Sequence, residues 1–101
     1  MKNEFLDIIK KSVLKYDPKA QVVLYGSRAR GDFRNDSDWD ILIILSLAET
    51  EAIKKRIRDE LYLAEIDHNK AISSLIYSKK TWNNLIATPL YKNIYSEGVP
   101  L

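Results

Sequence analysis

Residues 21–45 read QVVLYGSRARGDFRNDSDWDILIIL, two apolar runs around a polar insert, and that alternation decides how the chain is built. Residues 21–25 (QVVLY) form a short, β-branched, apolar run that predicts a buried strand. Gly26-Ser27 punctuates it, and residues 28–30 predict a helical turn closed by Gly31. Residues 32–37 (DFRNDS) are rich in turn formers and predict a loop. Residues 39–45 (WDILIIL) are the most hydrophobic stretch of the chain and predict the second strand.

Upstream, Phe5, Ile8, Ile9 and Val13 recur at helical spacing with Leu6 beside them, so an amphipathic helix opens the chain. Asn3 suits its N-cap, and Asp17-Pro18 marks its end, because proline disfavours helical geometry in the preceding residue. Downstream, a helix is expected over residues 47–66, with Ala52, Ile53, Ile57, Leu61 and Ala64 on one face. Glu49, Glu51, Lys54, Lys55, Arg58 and Asp59 make its other face a solvated surface. A turn at 68–70, a third strand at 71–77 (AISSLIY) and a short helix from 79 to 87 follow. Thr88-Pro89 interrupts, and a last helix over 90–96 is stopped by Gly98. The order α-β-(turn)-β-α-β-α-α predicts an α/β (α+β) fold in which a small, mixed, three-stranded sheet packs against helices. At 101 residues the chain is expected to be one domain over 1–101.

Hydrophobic residues at 46% and charged residues at 30% belong to an ordinary globular protein, so no special scaffold has to be invoked. The absence of cysteine excludes disulfide staples and thiolate metal sites. Glu4, Asp7, Lys10 and Lys11 interrupt any signal-peptide core, and no run approaches the ~20 apolar residues of a membrane span. The reading is a cytoplasmic protein without a membrane partner. A net charge of +2 argues weakly for nucleic acid, but acids and bases interleave instead of forming a basic stripe, so nucleic acid is not the expected partner. The local exception is Arg28, Arg30 and Arg34; taken alone, such a group is a solvated face.

The insert between the strands carries the chemistry. Gly26 lacks a Cβ, so a ligand can approach the backbone closely. Ser27 begins a helical turn whose free N–H groups attract anions, and its hydroxyl adds a donor. Arg30, about one turn on, can reach the same anion or brace the loop, and Gly31 permits a sharp exit. Asp38 and Asp40 come next. Two apart in a strand, they would project from one face with Cα atoms roughly 6.6–6.8 Å apart. Carboxylates so placed can converge on one Mg²⁺ or bridge two, since paired ions sit about 3.5–4 Å apart. Oxygen ligands without cysteine favour Mg²⁺ or Mn²⁺ over Zn²⁺. Trp39 and Ile41 are expected to face the core instead. Singly, a Gly-Ser turn or an Asp-x-Asp is most often ordinary loop chemistry; their order and spacing between two apolar strands give them joint meaning. A Walker A loop is excluded, because no Gly-Lys-Ser/Thr follows the first glycine.

Gly26-Ser27, Arg30-Gly31, Ser37-Asp38 and Asp40 together resemble the G-S…R-G…S-D-x-D pattern of the DNA polymerase β-like nucleotidyltransferase superfamily. The match looks closest to the minimal nucleotidyltransferase (MNT) group of MNT/HEPN antitoxins. The resemblance implies the nucleotidyltransferase fold. It implies that Gly26 and Ser27, with Arg30 as a further candidate, contact the phosphates of a nucleoside triphosphate. It counts Ser37 with the nucleotide-binding residues, as the brace of the turn presenting Asp38. It makes Asp38 and Asp40 the catalytic, metal-holding pair for Mg²⁺ or Mn²⁺. The implied reaction is transfer of a nucleoside monophosphate, AMP from ATP, to a hydroxyl, such as a tyrosine on a HEPN-type partner.

Active relatives carry a third acidic residue on the next strand, whereas here that strand offers Ser73 or Ser74. The nearest acids, Glu65 and Asp67, lie upstream of the turn. Two functions therefore compete: an antitoxin enzyme, and a catalytically weak module of the same fold that neutralises a partner by complex formation. His68 reads as a surface residue, and Trp82, Tyr91 and Tyr95 read as packing groups, with an exposed aromatic face as a possible partner surface.

Overall fold

In the computed structural model, which describes residues 3–101, Asn3 accepts a hydrogen bond from the Leu6 N–H at 3.1 Å and opens helix α1 (Glu4–Leu14). Then come β1 (Gln21–Tyr25), the helical turn α2 (Ser27–Arg30), β2 (Trp39–Leu45) and α3 (Glu51–His68). The chain finishes with β3 (Ile72–Ser78), α4 (Lys79–Asn84), α5 (Pro89–Glu97) and β4 (Val99–Pro100). Residues 1 and 2, part of the expected domain, lie outside the described residues.

The strands lie in the order β3-β2-β1-β4. β1 runs antiparallel to both β2 and β4, while β2 and β3 are parallel and joined through α3. Strand alternation then sorts the side chains into two layers. Trp39, Ile41, Ile43 and Leu45 of β2 pack against Phe5, Ile9 and Val13 of α1 and Ile57 and Leu61 of α3. Leu42 and Ile44 face the other way, onto Trp82 of α4 and Ile94 of α5. Fully burying one such side chain contributes about 1.5–3 kcal/mol, so both faces of β2 are strongly held in register. This double burial is why the strand reads as a continuous apolar run rather than an alternating one.

Several expectations need correction. The sheet has four strands, not three, because Val99 and Pro100 pair with Leu24 and Val23. Two residues carry no periodicity, and proline is admissible there because the strand lies at the sheet edge. Helix α3 begins at Glu51 rather than near residue 47, since the Thr50 side chain accepts from the Ile53 N–H and sets the cap. Ala52, expected on its inner face, is exposed. Helix α1 ends at Leu14, ahead of Asp17-Pro18, with Lys15 as its C-cap. Helix α4 stops at Asn84, and residues 85–87 form a turn.

Just beyond α1, Asp17 is 1% exposed. Its carboxylate accepts from Ser46 N (2.7 Å), Ser46 Oγ (2.5 Å), Leu47 N (3.2 Å) and Lys19 N (3.2 Å), tying the loop after α1 to the end of β2. Burial by itself pushes the acid up, but the bonds from Ser46, Leu47 and Lys19 outweigh it and hold its pKa below the ordinary value. A depressed acid contributes stability above its unfolded pKa of about 3.9, and that contribution fades as pH falls through the folded value. We expect Asp17→Ala to cost about 1–3 kcal/mol by removing the acceptor shared by Ser46, Leu47 and Lys19. Thermal unfolding at neutral pH should show it, and the difference from wild type should shrink in acid. An unchanged Tm would refute the assignment.

Candidate functional site

The site begins where β1 ends. Gly26 has φ 73° and ψ −158°, a region that is essentially closed to any residue with a side chain. A Cβ built on Gly26 would run into Asp40 Oδ2, with Asp40 Cγ at 3.0 Å and Cβ at 3.2 Å. The glycine is therefore required twice, by its backbone and by the carboxylate packed against it. After it, α2 makes one turn, with Ala29 N and Arg30 N both donating to Gly26 O at 3.1 Å. Gly31 closes the turn in the left-handed region at φ 86°, its N–H on Ser27 O at 2.9 Å. No side-chain hydrogen bond is formed by Ser27 among the described residues, so the fold leaves its hydroxyl free.

Sheet register assembles the face. Tyr25 of β1 lies beside Asp40 of β2, and Asp40 lies beside Ser73 of β3. Asp38 precedes β2 and is exposed; Asp40 is half-buried; Trp39 between them is buried on the opposite side, edge-on to Phe5 at 5.6 Å. Burial raises the Asp40 carboxyl above its ordinary pKa; the Asp38 charge raises it further, Glu97 adds to this, and Arg30 opposes. Tyr25 is pushed up to about 12, mainly by burial, then by the charges of Asp40, Tyr77 and Glu97. A site that resists its own negative charge is one a cation would relieve. Asp38 and Asp40 suit Mg²⁺, which commonly takes one or two protein carboxylates and completes its shell with water and substrate phosphates. Among the described residues no group of three or more acids or histidines is arranged to hold a metal.

Ser73 thus stands at the β3 position beside Asp40, and it is exposed. Neither upstream acid substitutes for it. Glu65 accepts from the Ile72 N–H at 2.8 Å from α3, and Asp67 is exposed on that helix. His68 is the last residue of α3 and packs against the Phe5 ring at 5.4 Å, more buried than a surface reading implies.

The arginines divide. Arg28 lies between the rings of Phe33 (4.3 Å) and Trp39 (4.4 Å) and donates to Asn35 O and Ser37 O, so it holds the loop rather than facing solvent. Ser37 Oγ accepts from Arg34 N at 2.8 Å and braces the turn just before Asp38. Arg30 donates through Nε to Asp32 (3.2 Å) and through Nη1 to Glu97 (3.0 Å). Glu97, at the end of α5, also accepts from Gly26 N at 3.2 Å. Reading the sequence misses Glu97 altogether. Its only local signal is a position just before the helix-stopping Gly98, and its partners lie 67 and 71 residues away.

Trp82 is buried between Tyr77 (6.1 Å) and Tyr91 (4.7 Å), as a packing group should be, whereas Tyr95 stacks on Tyr91 yet remains 83% exposed. Among the described residues no helix is long and apolar enough to cross a membrane.

The family model described as "Nucleotidyltransferase domain" matches residues 6–100. Two relatives from Methanocaldococcus jannaschii carry the name "Putative protein adenylyltransferase". One is 33% identical over 81 residues, covering 75% of this chain and 82% of the relative. The other is 28% identical over 96 residues, covering 94% and 88%. A solved structure of a toxin-antitoxin with AMP-PNP superposes with a TM-score of 0.64 at 19% identity, over 93% of this chain and 69% of that one. At that identity the likeness speaks for the fold.

Proposed function

Because this chain belongs to the nucleotidyltransferase domain family, we propose that residues 1–101 form one adenylyltransferase domain moving AMP from ATP to a hydroxyl on a partner protein. The partner best suited to so small a domain is a HEPN-type toxin offering a tyrosine, with this chain as its antitoxin. The observation that carries the reading is Gly26, pressed against Asp40 where a side chain cannot fit. That packing sets the Gly26 turn directly against Asp40.

Asp38 and Asp40 would hold Mg²⁺ (or Mn²⁺). When bound, the ion neutralises the triphosphate and stabilises the departing pyrophosphate. The rest is the work of the chain itself. Ser27 offers its free hydroxyl to a phosphate oxygen. Arg30, with Nε and Nη1 engaged, keeps Nη2 without a partner among the described residues for the same anion. Ser37 and Arg28 fix the loop through which Asp38 enters the site.

A second reading is favoured by Ser73, which places a hydroxyl where active relatives carry an acid. In that reading the fold clamps a toxin without modifying it. Incubation with labelled ATP, Mg²⁺ and the HEPN-type partner separates the two. We expect label on the partner from wild type, none from Asp38→Asn, and complex formation by both. A wild type that binds its partner and transfers nothing with either Mg²⁺ or Mn²⁺ leaves the clamp as the function.

A further inference from the structure

We propose that Glu97 is a positioning residue of the nucleotide site, holding the phosphate turn and Arg30 in receiving geometry from the far end of the chain. This inference rests on the nucleotidyl-transfer reading above. One carboxylate oxygen of Glu97 accepts the Gly26 N–H and the other accepts Arg30 Nη1. Gly26 is thereby held between Glu97 on one side and the Asp40 side chain on another. Arg30 is held between Glu97 and Asp32, and only Nη2 is left for an incoming anion.

The anchor is rigid. Glu97 is the last residue of α5, and Gly98 N donates to Ile94 O at 2.7 Å. A Cβ on Gly98 would stand 2.5 Å from Ile94 O and 2.8 Å from Val23 Cγ1, so the chain passes as close to β1 as glycine permits. Val99 then pairs with Leu24 and Pro100 with Val23. Helix end, tight glycine and edge strand deliver the Glu97 carboxylate to one spot beside β1. It is 21% exposed there, sheltered enough for its two bonds to matter yet open to the site.

The order imposed on Arg30 and Gly26 is conformational freedom that a triphosphate would otherwise have to remove on binding. Glu97 therefore acts on nucleotide affinity through its neighbours and touches neither phosphate nor metal.

The test is calorimetry of MgATP against wild type, Glu97→Gln, Glu97→Ala, Arg30→Ala and the Arg30/Glu97 double alanine variant, with Tm recorded for each. We expect Glu97→Ala to weaken Kd about tenfold with kcat in the transfer assay changed far less. Glu97→Gln keeps an acceptor for the Gly26 N–H but turns an amide NH2 towards Arg30, so it should recover only part of that loss. Adding Glu97→Ala to Arg30→Ala should cost much less than it does in wild type, as coupled residues do. Equal Kd in wild type and both Glu97 variants overturns the proposal while leaving the nucleotide site intact. So does tighter binding by Glu97→Ala, which would make the glutamate a competitor of the phosphate. A wild type that binds no MgATP overturns the site reading and this inference together.

Discussion

Gly26→Ala is expected to abolish nucleotidyl transfer while the protein still folds. Two separate effects add. The backbone at φ 73° and ψ −158° admits a β-carbon only at a cost of about 1–3 kcal/mol. The new methyl also meets the Asp40 carboxylate, and the cheapest relief is to rotate that carboxylate away. Relief of the clash thus dismantles the pair formed with Asp38. Transfer should fall by at least about 1,000-fold, and MgATP binding should weaken in calorimetry. Tm should drop by several degrees, in keeping with a local cost rather than loss of the core. Gly31→Ala is the internal control. It shares a positive φ of 86°, but nothing lies within 4 Å of its Cβ position, so it should lose stability with much less effect on transfer. Equal activity losses in the two variants would mean that backbone strain alone explains Gly26.

The second large effect is a separation of activity from stability at Asp40. Asp40→Asn should lower transfer about 1,000-fold, since a neutral amide neither compensates a divalent ion nor holds it. Yet Tm should stay constant or rise. In the folded chain, burial and the neighbouring Asp38 charge raise this carboxyl above its ordinary pKa. A raised acid binds protons more readily folded than unfolded, so its charge destabilises the fold above the folded pKa. The penalty disappears as pH falls below the unfolded value of about 3.9. Any stability advantage of Asp40→Asn should therefore be present at neutral pH and close on acidification, as thermal melts across that range would record. The opposite pattern belongs to Asp17, whose carboxylate is satisfied by its neighbours. An Asp40→Asn protein that keeps its activity, or that loses several degrees at neutral pH, would remove Asp40 from the proposed centre.

Contrasting these two aspartates shows what a single sequence conveys. Asp17 follows the apolar face of a helix and Asp40 precedes an apolar run, and both look like polar punctuation. Asp40 is legible because Asp38 repeats it two residues earlier, beside Gly26-Ser27, within one short segment. Asp17 reads only as a helix stop before proline, and its real partners, Ser46 and Leu47, lie about thirty residues away. The double burial of β2 was visible in its unbroken apolar run, and the amphipathic face of α1 in its helical spacing. The two-residue β4 was invisible, because its pairing depends on where α5 sets the chain down.

The sequence by itself determined the strand-turn-strand frame of residues 21–45, its glycine-serine turn and its paired carboxylates. These depend on backbone preference and on periodicities of two and 3.6 residues, which are local properties. Tertiary structure alone decided that Ser73 stands beside Asp40, that Arg28 braces the loop, and that Glu97 closes the turn at Gly26. For Ser73 and Glu97 the contacts are fixed by parallel register and helix placement across much of the chain. Hydrophobic burial sets those placements collectively, so no short segment carries them. The site is thus half local, in its glycines and aspartates, and half delivered by the fold.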